Sequence, residues 1–484
     1  MFRLQFYRSL CRSVICFTVL LAFAADTVAA EPAIRGLNFD GGETIRYPVA
    51  LIRGELADSD VDGLVIVNRS SRRETRRLVG LVDSGRFKAL AELVPGRNEL
   101  VLRAGEHRLP LVLHYKPQTN PYVVRAIYHT DNTGETNYQT QLKNDPQNYA
   151  AKLGTALKLM QTFTADRMHE AGFGRITFNL ELDDDGQVIV HTVKGEHPAE
   201  FYYEMNGVEW FGHLFRKLGK DFPTNIGMNV VIPAYTRYDG KTKKTRGHTA
   251  LGGGGLALFG SGGFFTWPSG LDDVFRAFGD ARRMDTSQVL DDSAGRGTFW
   301  ANASTGIGAT LHELGHALGL FHCRDGHGIM TRGFDHFGRL FTFVDPPMAR
   351  HPEPFAFTDD QIAYWAPVSA LALQPIRWFD MDAKQYEDID GPRLSMDDEA
   401  GRMTIQAASG LRFIGFDKGA TTMKHEAMYE TAEPPTCVEF PYEELQRTVE
   451  SDKMRVRAID DQGVIMMRDI RFQSPAPKQT TDDD

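Results

Sequence analysis

His312, Glu313, His316 and His322 form the densest group of chemically active side chains in this 484-residue chain, all within the run from Leu311 to Met330. On a helix, His312 and His316 project from one face a turn apart, the spacing at which two imidazoles share a zinc ion. Glu313 is then placed to take a proton from water at an open coordination position and return it to a leaving amine. Gly319, lacking Cβ, can enter the left-handed conformation that ends the helix and reverses the chain, delivering His322 as a third ligand. Three neutral histidines leave a fourth position open, which is the pattern of a catalytic zinc rather than a structural one. One zinc per chain is expected.

The long spacing is selective. With 46 glycines and 15 histidines in the chain, the added Gly and His arise by chance with a frequency of roughly 0.003 beyond a bare H-E-x-x-H. Gly308 and Gly315 each cost a helix about 1 kcal/mol relative to Ala, which a purely structural amphipathic helix has little reason to carry. His327 is the rival imidazole, but it lies in the approach to the next turn, whereas the reversal at Gly319 sets His322 against the helix face. His129, His248 and His336 are isolated in sequence.

His312, Glu313, His316, Gly319 and His322 together resemble the signature H-E-x-x-H-x-x-G-x-x-H of the metzincin zinc peptidases. Gly328-Ile329-Met330 is similar to the tight methionine turn that metzincins place beneath the metal. The stretch from Leu311 to Arg332 most resembles a little-studied group of zinc metalloproteinases of fungi and other eukaryotes. This resemblance implies a mixed sheet with helices, a zinc-binding active-site helix, Met330 under the metal and a polypeptide substrate held extended beside an edge strand. Arg332 departs from the pattern, since some metzincins have Tyr there, so no tyrosine role in the transition state is implied.

Several regions must frame these residues, and the pattern predicts an α+β fold: a metzincin-like catalytic domain flanked by N- and C-terminal β-sandwich domains. Residues 1–30 carry Arg3, Arg8 and Arg12 ahead of the apolar run Val14–Ala25 and then Val28-Ala29-Ala30. That reads as a secretory signal peptide cleaved near Ala30 and exporting the protein to the periplasm or beyond the cell; the run is too short for a stable membrane span. Residues 31–115 alternate at Tyr47–Arg53, Gly63–Asn68, Arg86–Leu93 and Glu99–Arg103, resembling an immunoglobulin-like sandwich.

Residues 116–372 form the expected catalytic domain. Asp145-Pro146 opens a helix reaching Ala171, and strands at Arg175–Leu182 and Gln187–Val193 are joined by a turn at Asp183–Gly186. A helix fits Val208–Leu218 and a strand Gly227–Pro233. The glycines at 252–255 lack the Gly-Lys-Ser/Thr of a phosphate loop. Leu256, Ala257, Leu258 and Phe259 are the expected substrate rim, a flexible turn being the equal alternative. Thr358 caps a helix expected to run toward Trp365. Residues 373–474 read as a second β domain, able to bind glycan or protein, and 475–484 as a disordered tail.

The net charge of −10, or −12 once three Arg and Asp26 leave with residues 1–30, disfavours nucleic acid as a partner. Only Cys323 and Cys437 then remain, which is no disulfide framework. Asp183–Asp185 and Asp380, Asp382, Asp388 and Asp390 offer calcium ligands, though polar turns need no ion. Two function classes stand: an exported zinc endopeptidase, and an exported binding or adhesion protein with a structural or vestigial zinc site. Glu313 favours the enzyme, because a vestigial site has no reason to keep its base.

Overall fold

A computed structural model describes residues 33–57, 61–386, 390–428 and 432–472. The expected signal segment, Asp388 and the tail lie outside these residues. The first region has eight strands: β1 Ile34–Arg35, β2 Thr44–Ile45, β3 Val49–Leu56, β4 Leu64–Asn68, β5 Arg77–Asp83, β6 Arg86–Glu92, β7 Gly96–Ala104 and β8 His107–Tyr115. They follow one hydrogen-bonded path, β1-β3-β6-β5-β4-β7-β8-β2. The path turns at β5, which pairs with β4 through Arg77–Gly80 and with β6 through Leu81–Asp83. β5 and β8 were not marked by sequence alternation, because β5 is mostly half-exposed and Pro110 interrupts β8.

A second sheet follows, ordered β10-β9-β12-β16-β15 from β9 Val123–Thr130, β10 Asn179–Leu180, β12 Gly227–Pro233, β15 Ala250–Gly253 and β16 Leu256–Phe259, with β11 Val190–Lys194 also on β9. All pairings are parallel except β15 with β16. The expected strands around Asp183–Gly186 shrink accordingly. β10 and β11 run the same way along β9, and only a single bridge, Leu182 to Val188, closes the loop between them.

Helix α1, Tyr149–Glu170, starts three residues after Pro146 and is buried continuously from Lys152 to Met168. Two further helices precede β12: α2 Ala199–Tyr203 and α3 Gly207–Leu218, the latter held by a capping box between Asn206 and Glu209. A small hairpin, β13 Arg237–Asp239 and β14 Lys244–Arg246, leads to β15. After β16 come the short α4, Val274–Phe278, and then α5, Phe299–Ala317. α5 is buried on every side apart from half-exposed His316, as a helix in the middle of a large domain must be.

Downstream, β17 Val344–Asp345 pairs with β18 Phe355–Ala356. The helix expected from Thr358 is a single 3-10 turn, Asp359–Gln361, although its capping box forms. Pro367 forces Ala366 into an extended conformation, and α6 starts afresh at Pro367–Leu373. The last region contains β19 Arg393–Asp397, β20 Arg402–Gln406, β21 Leu411–Lys418, β22 Thr421–Ala427, β23 Cys437–Pro441, α7 Tyr442–Val449, β24 Lys453–Asp460 and β25 Ile465–Arg471. They make two sheets, β19-β20-β23 and β22-β21-β24-β25. We call this region the C-terminal module.

The core is divided unevenly. Leu51, Leu90 and Leu102 of the first sheet belong to the same buried cluster as Leu157 of α1 and Leu311 of α5. The module has its own cluster, from Leu394 through Met403, Ile405 and Leu445 to Phe472. That core begins some residues after 373, because Ile376, Trp378 and Phe379 pack into the first cluster. Among the described residues no helix is long and apolar enough to cross a membrane, and Cys323 and Cys437 are both free.

Candidate metal centre

α5 ends at Ala317, two residues before the glycine that the sequence points to. Gly319 has φ +89°, a left-handed value that costs a residue without Cβ little. Its N–H donates to His316 O at 3.0 Å, and the Leu320 N–H donates to Gly315 O at 2.9 Å. These two bonds make a Schellman turn, which satisfies carbonyls left open at the helix end and sends the chain back along its face. His322 is thereby brought level with His312 and His316.

The three rings converge. His316 Nε2 lies 3.1 Å from His312 Nε2 and 3.2 Å from His322 Nε2, and the three residues are the sole candidate metal cluster among the described residues. His312 Nδ1 stands 2.7 Å from Ile329 O, and His316 Nδ1 2.8 Å from Leu320 O. A carbonyl accepts only, so each Nδ1 must carry the proton and each Nε2 a lone pair. Two lone pairs facing each other at 3.1 Å repel unless a cation sits among them, so the donor set fits a metal ion on its own geometry. Three neutral imidazoles suit zinc.

Burial reinforces that state. It pulls His312 down to about 3 and His316 to about 4, and lowers His322 as well. The rings are therefore neutral, as ligands must be, at neutral pH. Glu313 is buried one position along α5, and burial pushes its carboxyl up to about 8. Among the described residues nothing hydrogen-bonds that carboxyl; a cation held by the neighbouring histidines would favour its ionised form. Met330 is fully buried beneath the helix, where a Cβ at Gly315 would meet its sulfur at 2.4 Å. Phe334 packs edge-on to His312, and Arg332 lies over Phe334 while paired with Asp335 at 2.6 Å.

The substrate-rim residues require a correction. Leu256, Ala257, Leu258 and Phe259 are all buried in β16, flanked by β12 on one side and β15 on the other. The edge strand is β15, whose residues are half-buried or exposed. β15 also lies against the ligand helix, since a Cβ on Gly252 would come within 2.1 Å of Glu313 O. The glycines at 252–255 form and flank the hairpin turn, and either arm of a hairpin can be the edge. Sequence alone could not choose between the arms.

A cleft of about 580 Å³ opens beside His316, between Gly252–Gly255 on one side and Phe321, Arg455 and Met467 on another. Two of those lining residues belong to the C-terminal module, which reaches the metal centre directly. The His322 N–H donates to Ala420 O at 2.8 Å, and the Thr422 N–H donates to His322 O at 3.0 Å. Arg457 Nη1 donates to Gly319 O at 2.8 Å. Nothing local in the sequence signals these contacts, because Arg457 and Gly319 are separated by 138 positions.

Other candidates fall away from the centre. His327 packs against His336, 5.6 Å between ring centroids, and belongs to no metal cluster. His129 contacts Tyr235 Oη at 3.1 Å. Of the proposed calcium carboxylates, Asp382 is taken by Arg46 at 2.6 Å and Asp380 by the Tyr386 hydroxyl, while Asp183 accepts from the Gln187 N–H at 2.8 Å.

Comparison with known proteins gives consistent results. Residues 33–411 match the sequence model of a family described as Metallopep, putative peptidase family. A protein of Schizosaccharomyces pombe named as a putative zinc metalloproteinase is 33% identical over 280 residues, covering 53% of this chain and 45% of that one. A Saccharomyces cerevisiae protein of the same designation is 29% identical over 298 residues, covering 53% of this chain and 42% of its own. The chain thus spans less than half the length of these curated relatives. Among solved structures, OgpA from Akkermansia muciniphila is similar with a TM-score of 0.43 and 14% identity, covering 73% of this chain and 94% of that one.

Proposed function

The chain belongs to the Metallopep family of putative peptidases, and from that premise we propose that it is an exported, metzincin-type zinc endopeptidase. The observation that carries the reading is the convergence of three Nε2 atoms, those of His312 and His322 lying 3.1 and 3.2 Å from that of His316, beside a buried Glu313 whose carboxyl has no hydrogen-bond partner among the described residues. His312, His316 and His322 hold the ion. When bound, zinc acidifies water and polarises a carbonyl. Glu313 accepts the proton of the attacking water and hands it to the departing amine nitrogen, so one carboxyl serves as base and then acid. Its apolar surroundings raise its basicity toward the neutral range, where both transfers run at comparable cost.

β15 binds the substrate. Its free edge offers main-chain donors and acceptors to an extended peptide, which adds as a further strand, and the cleft beside His316 receives a side chain. Met330 supports the rings from below. Export rests on the sequence of residues 1–30 alone.

The test separates metal from chemistry. Glu313→Gln keeps all three ligands, so zinc content should stay at one per chain while peptide cleavage falls about 10²- to 10⁴-fold, the usual worth of general acid–base help. Equal cleavage by wild type and variant would end the mechanism. A wild type that cleaves no member of a diverse peptide library would favour a binding or adhesion protein instead.

A further inference from the structure

His312 and His316 stand on a rigid helix, and each ring is fixed from behind by a backbone carbonyl. His322 has neither advantage. It lies five residues beyond the last residue of α5, and among the described residues no group hydrogen-bonds its Nδ1. What holds it is the C-terminal module. His322 and Thr421 form a parallel bridge, so the start of β22 takes both the N–H and the C=O of the residue that bears the third ring.

A second anchor lies three residues earlier. Arg457, on β24, is only 1% exposed. It donates from Nη1 to Gly319 O at 2.8 Å and from Nη2 to Thr422 Oγ1 at 3.2 Å, while the Thr422 hydroxyl donates to Asp417 Oδ1 at 2.5 Å. Its guanidinium lies 5.1 Å from the centroid of the Phe321 ring, packing the residue beside His322. One buried cation thus ties the left-handed turn, the strand that clamps His322 and the ring between them. The far side of the turn is closed too, because a Cβ on Gly319 would meet Met467 and Ile465 of β25 at 3.1 and 3.2 Å.

We propose that the C-terminal module is part of the metal centre: Arg457 and the β21–β22 turn act as positioning groups that fix His322 for zinc. The inference rests on the zinc reading given above. Groups that orient a ligand from behind typically contribute about 10- to 100-fold in metal affinity, and here the orienting contacts act on the backbone of the ligand rather than on its ring.

The experiment is zinc affinity of the full chain, measured by competition with a chromophoric chelator, which requires no cleavage. Arg457→Met removes the bridge, and Thr422→Pro removes the donor to His322 O. Each should weaken zinc binding about 10- to 100-fold. Ile405→Ala, which opens a cavity in the core of the same module without touching residues 319–322, should leave affinity within about twofold of wild type. Should Arg457→Met fail to fold, Arg457→Lys takes its place, since it keeps a buried cation but cannot bridge both acceptors. The proposal is overturned if the Arg457 variant binds zinc as tightly as wild type, or if Ile405→Ala weakens binding as much as the Arg457 variant does. A wild type that binds zinc tightly but cleaves no peptide would defeat the peptidase reading and leave this one standing.

Discussion

The first sheet and the C-terminal module look alike as sequence, both being short alternating strands at either end of the metal-binding region, but they are joined to it in opposite ways. The first sheet shares its core with α1 and α5, and buried polar contacts seal the seam. Lys88 Nζ donates to Arg339 O at 3.1 Å and to Thr342 O at 2.6 Å, and Lys158 pairs with Glu92 at 2.8 Å. The module keeps most of its core to itself, with only Phe413 of β21 and Ile459 of β24 packed into the shared cluster and Ile465 against it, yet it is the module that reaches the proposed ligands. A separate core therefore does not mark an accessory domain, and a shared core does not mark a functional one.

The largest expected effect tests the separateness of the module. Ile405 is fully buried in its core, so Ile405→Ala should cost about 2–5 kcal/mol, in the range for large-to-small core changes. Calorimetry should show that loss in one of two transitions, with the other unmoved. A single transition shifting as a whole would mean that the two cores unfold together, and the contrast drawn above would fail.

Lys88→Met probes the opposite seam. It leaves Arg339 O and Thr342 O without their donor, a loss of about 1–3 kcal/mol. Denaturant unfolding should record that loss while zinc affinity stays unchanged. Weakened zinc binding in this variant would show that the first sheet also positions the ligands.

Acid should act on the shared-core part of the molecule. Burial lowers His129 to about 4 and His336 to about 3, so between those values and the ordinary value near 6.5 the unfolded chain binds more protons than the folded one. Stability then rises with pH across that window and is lost as pH falls through it. His129→Phe should flatten the part of the slope down to about pH 4, measured as unfolding free energy against pH; an unchanged slope would mean that His129 does not contribute.

How much of this could be read in advance follows the range of the interactions. The ligand helix, the stop at Gly319 and the turn at Met330 are written within about twenty consecutive residues, because helix periodicity and a left-handed glycine are local properties. The edge strand was misplaced by one arm of a hairpin: Ala250–Gly253 and Leu256–Phe259 are both candidates until the sheet order is known. The helix expected after Thr358 has a capping box and still stops after one turn, because Ile362 is extended and Tyr364 bridges to Gly328, a contact from outside the local sequence. The hold on His322 by Ala420, Thr422 and Arg457 joins segments about a hundred residues apart, where no periodicity carries information.

The smallest expected effect concerns two histidines that the same loop presents to different neighbours. His322 is clamped by the module, whereas His327 is held within its own domain: its carbonyl accepts from the Tyr364 N–H at 3.3 Å and its N–H donates to Asp325 Oδ1 at 3.1 Å. Both contacts use the backbone of His327, so His327→Ala removes only a ring that packs on His336. Zinc stoichiometry and affinity should be unchanged within error in that variant, while His322→Ala, which takes away one of three ligands, should lose the site. Metal analysis of the two proteins side by side decides the matter. Full occupancy in His322→Ala together with an empty site in His327→Ala would reverse the ligand assignment and, with it, the reason for the module to touch this turn at all.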